Sequence, residues 1–310
     1  MLPKFSGASQ DIFDNQTPRD KVAIAIQFAE HAAGEAECHR FGQLIAYMCN
    51  CKMIKGPMKT LVRADEKVGK DYKGDWSKVK DLVRMTILAP TPNDLALVAE
   101  KIRVMGVMPP WCILKDEEPK ADTDPCGYSG LNFVLQKNRQ GSVGAKNQPP
   151  VAPPPDVQGI SNAQWAKTVR MEIQANVPEM IYGKECEEDF IKMLGAIGQD
   201  QFDKMKAKLK IVGGLGHVFY EISKSNDANV GTQETAKALS KRYYEYLRDP
   251  KLYSAPKFIR LCHDLAPFVE VNNRFFRKHP VRAISLEHAP APVKAAGPKV
   301  GKLPMPIGFK

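Results

Sequence analysis

The sequence predicts an α+β fold: a mixed β-sheet flanked by helices, with helical extensions at its N-terminal and C-terminal ends. Three observations predict it. Short apolar or β-branched runs at residues 79–88, 111–115, 131–136 and 169–174 are interleaved with helix-start signals, whereas the pattern beyond Gln174 is helical to about residue 275. The run Val169-Arg170-Met171-Glu172-Ile173-Gln174 alternates strictly, so as a strand it sends Val169, Met171 and Ile173 into a core and lines the other face with Arg170, Glu172 and Gln174. At 310 residues with 43% hydrophobic content, the chain has the material for a core of ordinary size.

Charge and cysteine content narrow the classes of function. Lys and Arg outnumber Asp and Glu by 45 to 35, a formal charge of +10, which calls for a polyanionic ligand such as a nucleotide, an RNA or an acidic surface. The excess is spread along the chain, which favours a phosphate pocket over a basic arm. Seven cysteines without metal-type spacing read as reduced thiols, and Cys49-x-Cys51 has no second pair to complete a metal site. There is no apolar run long enough to span a bilayer and no hydrophobic signal core, so export, if it occurs, takes a route without a cleaved signal peptide.

Residues 1–16 are polar and turn-rich. Thr17-Pro18-Arg19-Asp20 supplies an N-cap hydroxyl, a first-turn proline and a first-turn acid, so a helix follows, with Val22, Ile24, Ala25, Phe28 and Ala29 on its apolar face and a stop at Gly34. A second helix carries Phe41, Leu44, Ile45 and Met48. Residues 55–68 read as a turn running into a helix, with Lys59, Arg63 and Lys67 at i, i+4 and i+8 and hence in one row. Such a row is either a solvated face or a polyphosphate clamp. The strand at 79–88 has Asp81 at its start, and Thr91-Pro92-Asn93-Asp94 opens a helix that runs to Gly106. A strand at 111–115 completes a β-α-β order. Gly127-Tyr128-Ser129-Gly130 turns into the next strand, and the proline-rich residues 138–162 read as a long loop joining two antiparallel neighbours. His217, in the helical second half, reads as a packed core histidine.

Phosphoryl or pyrophosphoryl transfer from ATP requires cations around the phosphates, carboxylates for magnesium and a platform for the acceptor. Lys59, Arg63 and Lys67, the pair Asp81 and Glu172, and the ring of Tyr128 are candidates for the three parts. Gly213-Gly214-Leu215-Gly216 is glycine-rich but lacks the Lys-Ser/Thr and the preceding strand of a P-loop.

The order of these motifs resembles the synthetase domain of the RelA/SpoT family of alarmone synthetases over about residues 55–220. The resemblance is carried by Lys59-x-x-x-Arg63-x-x-x-Lys67, Lys80-Asp81-Leu82-Val83-Arg84-Met85-Thr86-Ile87, Gly127-Tyr128-Ser129-Gly130-Leu131-Asn132, Arg170-Met171-Glu172-Ile173-Gln174 and His217-x-x-Tyr220. It implies a nucleotidyltransferase-like sheet and transfer of the ATP β,γ-pyrophosphate to the ribose 3′-hydroxyl of an acceptor nucleotide. It further implies Lys55, Lys59, Arg63, Lys67 and Arg84 at the ATP phosphates, Mg2+ on Asp81 and Glu172, Tyr128 and Asn132 at the acceptor, and Gln174 orienting Glu172 or the acceptor. The family often has serine where Arg63 stands, glycine then arginine where Arg84 and Thr86 stand, and histidine where Asn132 stands. These departures resemble the branch of small toxic synthetases and polymorphic toxins, for which an immunity or antitoxin protein is expected.

The acceptor stays open between ADP or ATP, GDP or GTP, and the tRNA 3′ end. Two other readings of the chain are a non-catalytic nucleotide- or RNA-binding module and a helical interaction protein. The domain organisation expected is an N-terminal helical segment (1–54), a synthetase-like catalytic domain (55–222, with a flexible loop at 138–162), packed C-terminal helices (223–278) and a flexible tail (279–310). Glu172 is expected within metal-bridging reach of Asp81, with the lysine row on one side and Tyr128 on the other.

Overall fold

The computed structural model describes residues 4–118, 122–138 and 167–272. The tail at 279–310 lies outside the described residues, and so does the expected loop at 138–162, apart from Asn138, which ends a strand.

Five strands form one sheet in the order β1 (Lys52–Lys55), β2 (Val83–Leu88), β5 (Lys167–Asn176), β4 (Leu131–Asn138), β3 (Trp111–Glu117). β2 and β5 run parallel and every other pair is antiparallel, so the sheet is mixed, and β4 and β5 are antiparallel neighbours as their succession requires. The alternation read at 169–174 holds: Val169, Met171, Ile173 and Ala175 are buried on one face and Arg170, Glu172 and Gln174 are half-buried on the other.

The apolar face is covered by α2 (Pro18–Met48) and α4 (Pro92–Met105), which pack Cys38, Phe41, Ile45, Val98 and Ile102 against it. The caps act as the sequence requires, with Thr17 accepting from the Asp20 N–H and Thr91 and Asp94 forming a reciprocal capping box. Gly34, expected to stop the first helix, is instead inside a single 31-residue helix. A Cβ at Gly34 would stand 2.3 Å from Cγ2 of Val169, so the glycine marks the close approach of α2 to β5. The turn-rich start also differs from expectation. Residues Ala8–Asp14 form α1, whose Ile12 and Phe13, with Phe5 just before it, pack onto the cluster of Ile24, Phe28 and Leu61 from α2 and α3 (Leu61–Tyr72).

The second half is a helical assembly built from α5 (Pro178–Lys184), α6 (Glu187–Leu194), α7 (Gly198–Leu209), α8 (Leu215–Lys224), α9 (Val230–Arg248) and α10 (Ala255–Val269). Its core is aromatic, with Tyr182, Phe190, Phe219, Tyr243 and Tyr244 buried together. The hydroxyls of Tyr182, Tyr243 and Tyr246 donate to the carbonyls of Ile211, Val212 and Leu209 at 2.7, 2.7 and 2.6 Å, which allows three polar tips to be buried without loss. His217 is not a core residue: it lies on the surface of α8 beside Glu221, 3.6 Å away.

Candidate active site

The parallel pairing of β2 with β5 builds the centre of the site. Register partners on neighbouring strands share a face, so Arg84 stands beside Glu172 and Thr86 beside Gln174, and β4 adds Asn132 on the far side of Gln174. A cleft of about 930 Å³ opens over this face, lined by Lys55, Arg84, Thr86, Glu172, Gln174 and Lys184 among others. β1 ends at Lys55, and the Gly56 N–H donates to the Arg84 carbonyl at 3.0 Å, which keeps the chain after β1 on the rim.

Asp81 lies just before β2 and is 6% exposed. Lys59 and Lys67 both donate to its Oδ2, Lys67 at 2.7 Å. Burial by itself would push the Asp81 carboxyl up, but the hydrogen bonds and charges of the two lysines outweigh it and hold the group below the usual carboxylate range. Burial lowers Lys59, with the charges of Lys67 and Arg84 adding to the drop. Burial opposes the charge of Lys67 as well, yet Asp81, Tyr72 and Glu172 together raise it.

The expected row of three cations does not form. The N-cap of α3 is Thr60, so Lys59 precedes the helix, fixed by its own N–H to the Leu82 carbonyl at 2.9 Å. From there Lys59 turns to the same carboxylate oxygen as Lys67, while Arg63 stays in solvent beside Glu66 at 3.4 Å. The convergence on Asp81 relieves the repulsion that a bare row would carry.

Among the described residues no group of three or more His, Cys, Asp or Glu side chains is placed to hold a metal ion by itself. Two features nevertheless fit a magnesium held mainly by substrate phosphates. Asp81 Oδ1 is buried without a hydrogen-bond partner, and the Lys67 ammonium, bonded to Asp81 and felt by Glu172, is a cation in the field of both carboxylates.

Tyr128 follows Gly127, whose φ is +71° and where a Cβ would stand 2.7 Å from Cα of Lys241, so no side chain is admitted. The Asn176 amide donates to the Tyr128 hydroxyl at 2.9 Å, and Tyr244 meets the ring edge-on at a centroid distance of 5.4 Å. Asn132 Oδ1 is buried without a hydrogen-bond partner on the polar face.

The cleft thus brings together Lys55, Arg84, Glu172 and Gln174. Asp81, Lys59 and Lys67 adjoin it through the fields of Arg84 on Lys59 and of Glu172 on Lys67, and Arg63 does not take part. Sequence reasoning missed Lys184 and Asn176. Proline in the first turn, Pro178, and a cation in the last turn of the short helix it opens are the signals that mark Lys184.

No family model matches the sequence. Over 221 residues the chain is 29% identical to the (p)ppApp synthetase toxin Tas1 of Pseudomonas aeruginosa (strain UCBPP-PA14), an alignment that covers 71% of this chain and 42% of Tas1. The chain therefore spans less than half the length of that curated relative. In the crystal structure of the Type VI effector Tas1 with its immunity protein, the matching chain aligns with a TM-score of 0.55 at 28% identity, covering 76% of this chain and 99% of that one. Small alarmone synthetase 1 from Bacillus subtilis, bound to its product pppGpp, aligns with a TM-score of 0.40 at 12% identity, covering 74% and 92%.

Proposed function

We propose that this chain, a divergent homologue of the alarmone synthetase toxin Tas1, is itself a toxic pyrophosphokinase. It transfers the β,γ-pyrophosphate of ATP to the 3′-hydroxyl of an acceptor purine nucleotide and releases AMP. The observation that carries this reading is the pairing of Arg84 with Glu172 across β2 and β5, inside a cleft that also holds Lys55 and Gln174 and adjoins the Asp81–Lys59–Lys67 cluster.

In this reaction the acceptor 3′-oxygen attacks the β-phosphorus of ATP, and the bond from that phosphorus to the oxygen bridging to the α-phosphate breaks. AMP leaves with the bonding pair, and the hydroxyl proton passes to Glu172. Lys59, Lys67, Arg84 and Lys55 are the cations that take the phosphate charge; the two lysines exchange Asp81 for phosphate oxygens when ATP binds. Asp81 and Glu172 would hold a magnesium ion, which would supply further neutralisation at the phosphates. Gln174 orients the acceptor beside Glu172, and Tyr128 and Asn132 receive the acceptor's base.

Tas1 is a (p)ppApp synthetase by name, which favours ADP or ATP as the acceptor here. Incubation of the protein with ATP, magnesium and, in turn, ADP, GDP and tRNA, followed by nucleotide separation, tests the proposal. AMP formation with an adenine nucleotide as acceptor is the expected result, and no AMP with any acceptor would overturn it. One observation favours a non-catalytic nucleotide-binding module, namely that Asp81 is already engaged by two lysines. That second reading requires Glu172→Gln to leave both nucleotide affinity and the absence of turnover unchanged.

The same kinship supports a neutralising immunity protein and delivery as an antibacterial effector, since Tas1 is a Type VI effector crystallised with its immunity protein. Among the described residues no helix is long and apolar enough to cross a membrane.

A further inference from the structure

Lys184 sits in the last turn of α5, and its ammonium meets three parts of the site at once. It donates to the Gln174 amide oxygen at 3.1 Å, pairs with Glu185 at 3.4 Å and lies 5.8 Å from the centroid of the Tyr128 ring. Burial works against its charge, but the fields of Tyr128, Glu185 and Glu172 prevail. Tyr128 is anchored at its hydroxyl by Asn176 and at its edge by Tyr244. Lys184 both bonds Gln174 and stands over the Tyr128 ring.

The geometry points to Lys184 as a positioning residue that ties the acceptor platform at Tyr128 to Gln174, and so sets the acceptor hydroxyl against Glu172. This inference rests on the pyrophosphokinase reading, in which Tyr128 takes the acceptor's base. The chemistry suits the role. An ammonium over an aromatic face is attracted by the ring quadrupole, and its bond to a neutral amide oxygen is charge-assisted, so both contacts strengthen where water is scarce. A methionine at the position keeps the length and packing and loses both contacts. An arginine keeps the charge, the donor and the affinity for a ring face.

The test compares Lys184→Met, Lys184→Gln and Lys184→Arg, together with Gln174→Ala and the Lys184→Met/Gln174→Ala pair, in the full chain. AMP release is measured while ATP and ADP are varied separately, and melting curves serve as the check on folding. We expect Lys184→Met and Lys184→Gln to lower kcat/KM for the acceptor ~10²-fold, as a misplaced reacting group does, with the KM for ATP changed by no more than about twofold. Lys184→Arg restores most of the loss. The double variant is no worse than Gln174→Ala alone, because the two residues act as one unit.

Equal rises in the KM of both nucleotides, no change in any variant, or fully additive losses in the double variant would overturn the inference. If the wild-type chain forms no AMP with any acceptor, the pyrophosphokinase reading fails first. Calorimetric titration with ADP and with a non-hydrolysable ATP analogue then decides the role of Lys184 separately: it stands if Lys184→Met weakens ADP alone, and falls if both or neither are weakened.

Discussion

Glu172 is the residue on which the proposed chemistry turns. It shares a face with Arg84 and Gln174 in the cleft, and in the proposed reaction its carboxylate takes the acceptor's proton. Glu172→Gln keeps the shape and removes the base, so turnover falls by ~10²-fold or more while affinity for magnesium-free ATP stays near that of the wild type. Steady-state AMP release and a binding titration on the same preparation measure the two quantities. His31 offers a residue-scale test that does not involve activity. The Arg170 N–H donates to Nε2 of His31 at 3.1 Å, which leaves Nδ1 to carry the proton and donate to the Gln27 carbonyl, so the buried ring is held neutral. Burial lowers its pKa from 6.5 to about 4. The unfolded chain therefore takes up this proton more readily than the folded one, and the stability due to the neutral ring is complete above pH 6.5 and lost as pH falls toward 4. The loss amounts to ~3 kcal/mol by linkage. Denaturant titrations at pH 7 and pH 4 should show that much more acid sensitivity in the wild type than in His31→Gln; equal sensitivity would refute the assignment.

At the scale of the element, α2 shows both what local sequence reveals and what it conceals. Its start at Thr17-Pro18 and the capping box of α4 are decided within four residues, and both were legible. The same is true of the alternation in β5, because one buried face imposes a period of two. Gly34 was not legible. A glycine that ends a helix and one that lets a helix touch a strand look alike locally, and only Val169, remote in sequence, distinguishes them. Helix α1 depends in the same way on the contact of Phe5 with Phe28, a residue that no short window around residue 10 contains. The lysine row failed for a related reason: Lys59 lies one residue outside the cap, and Asp81, on another segment, sets its direction. Gly34→Ala tests the α2–β5 contact. Better helix propensity favours the variant by about 1 kcal/mol, whereas forcing a methyl against Val169 in a packed core costs roughly 1–3 kcal/mol. A net loss of stability by chemical denaturation is expected, and a gain would mean that α2 can move away from the sheet.

For the whole molecule, the question is whether sheet and helical half form one cooperative body. The aromatic core of the second half includes Ile54 of β1 and takes in Leu88, Tyr128 and Val177 at its margin, so its apolar surface is shared with the sheet. Arg248, at the end of α9, donates to the Gly127 carbonyl at 2.7 Å and to the Ser129 hydroxyl at 3.4 Å, which fastens the helices to the turn that carries Tyr128. The sequence showed neither link, since each joins segments far apart in the chain and leaves no periodic trace. Because the links are shared, the two halves are expected to unfold in one transition. In a Trp165→Phe background, emission from Trp76 and Trp111 reports on the sheet half, and far-UV circular dichroism is dominated by the helices. The two signals should share one denaturant midpoint. Arg248→Met leaves the Gly127 carbonyl without its donor, a loss of about 1–3 kcal/mol, and should move both midpoints down together. Midpoints that separate in the Trp165→Phe background would mean that the helices fold as a body of their own, and Tyr128 would then be held by packing within the sheet alone.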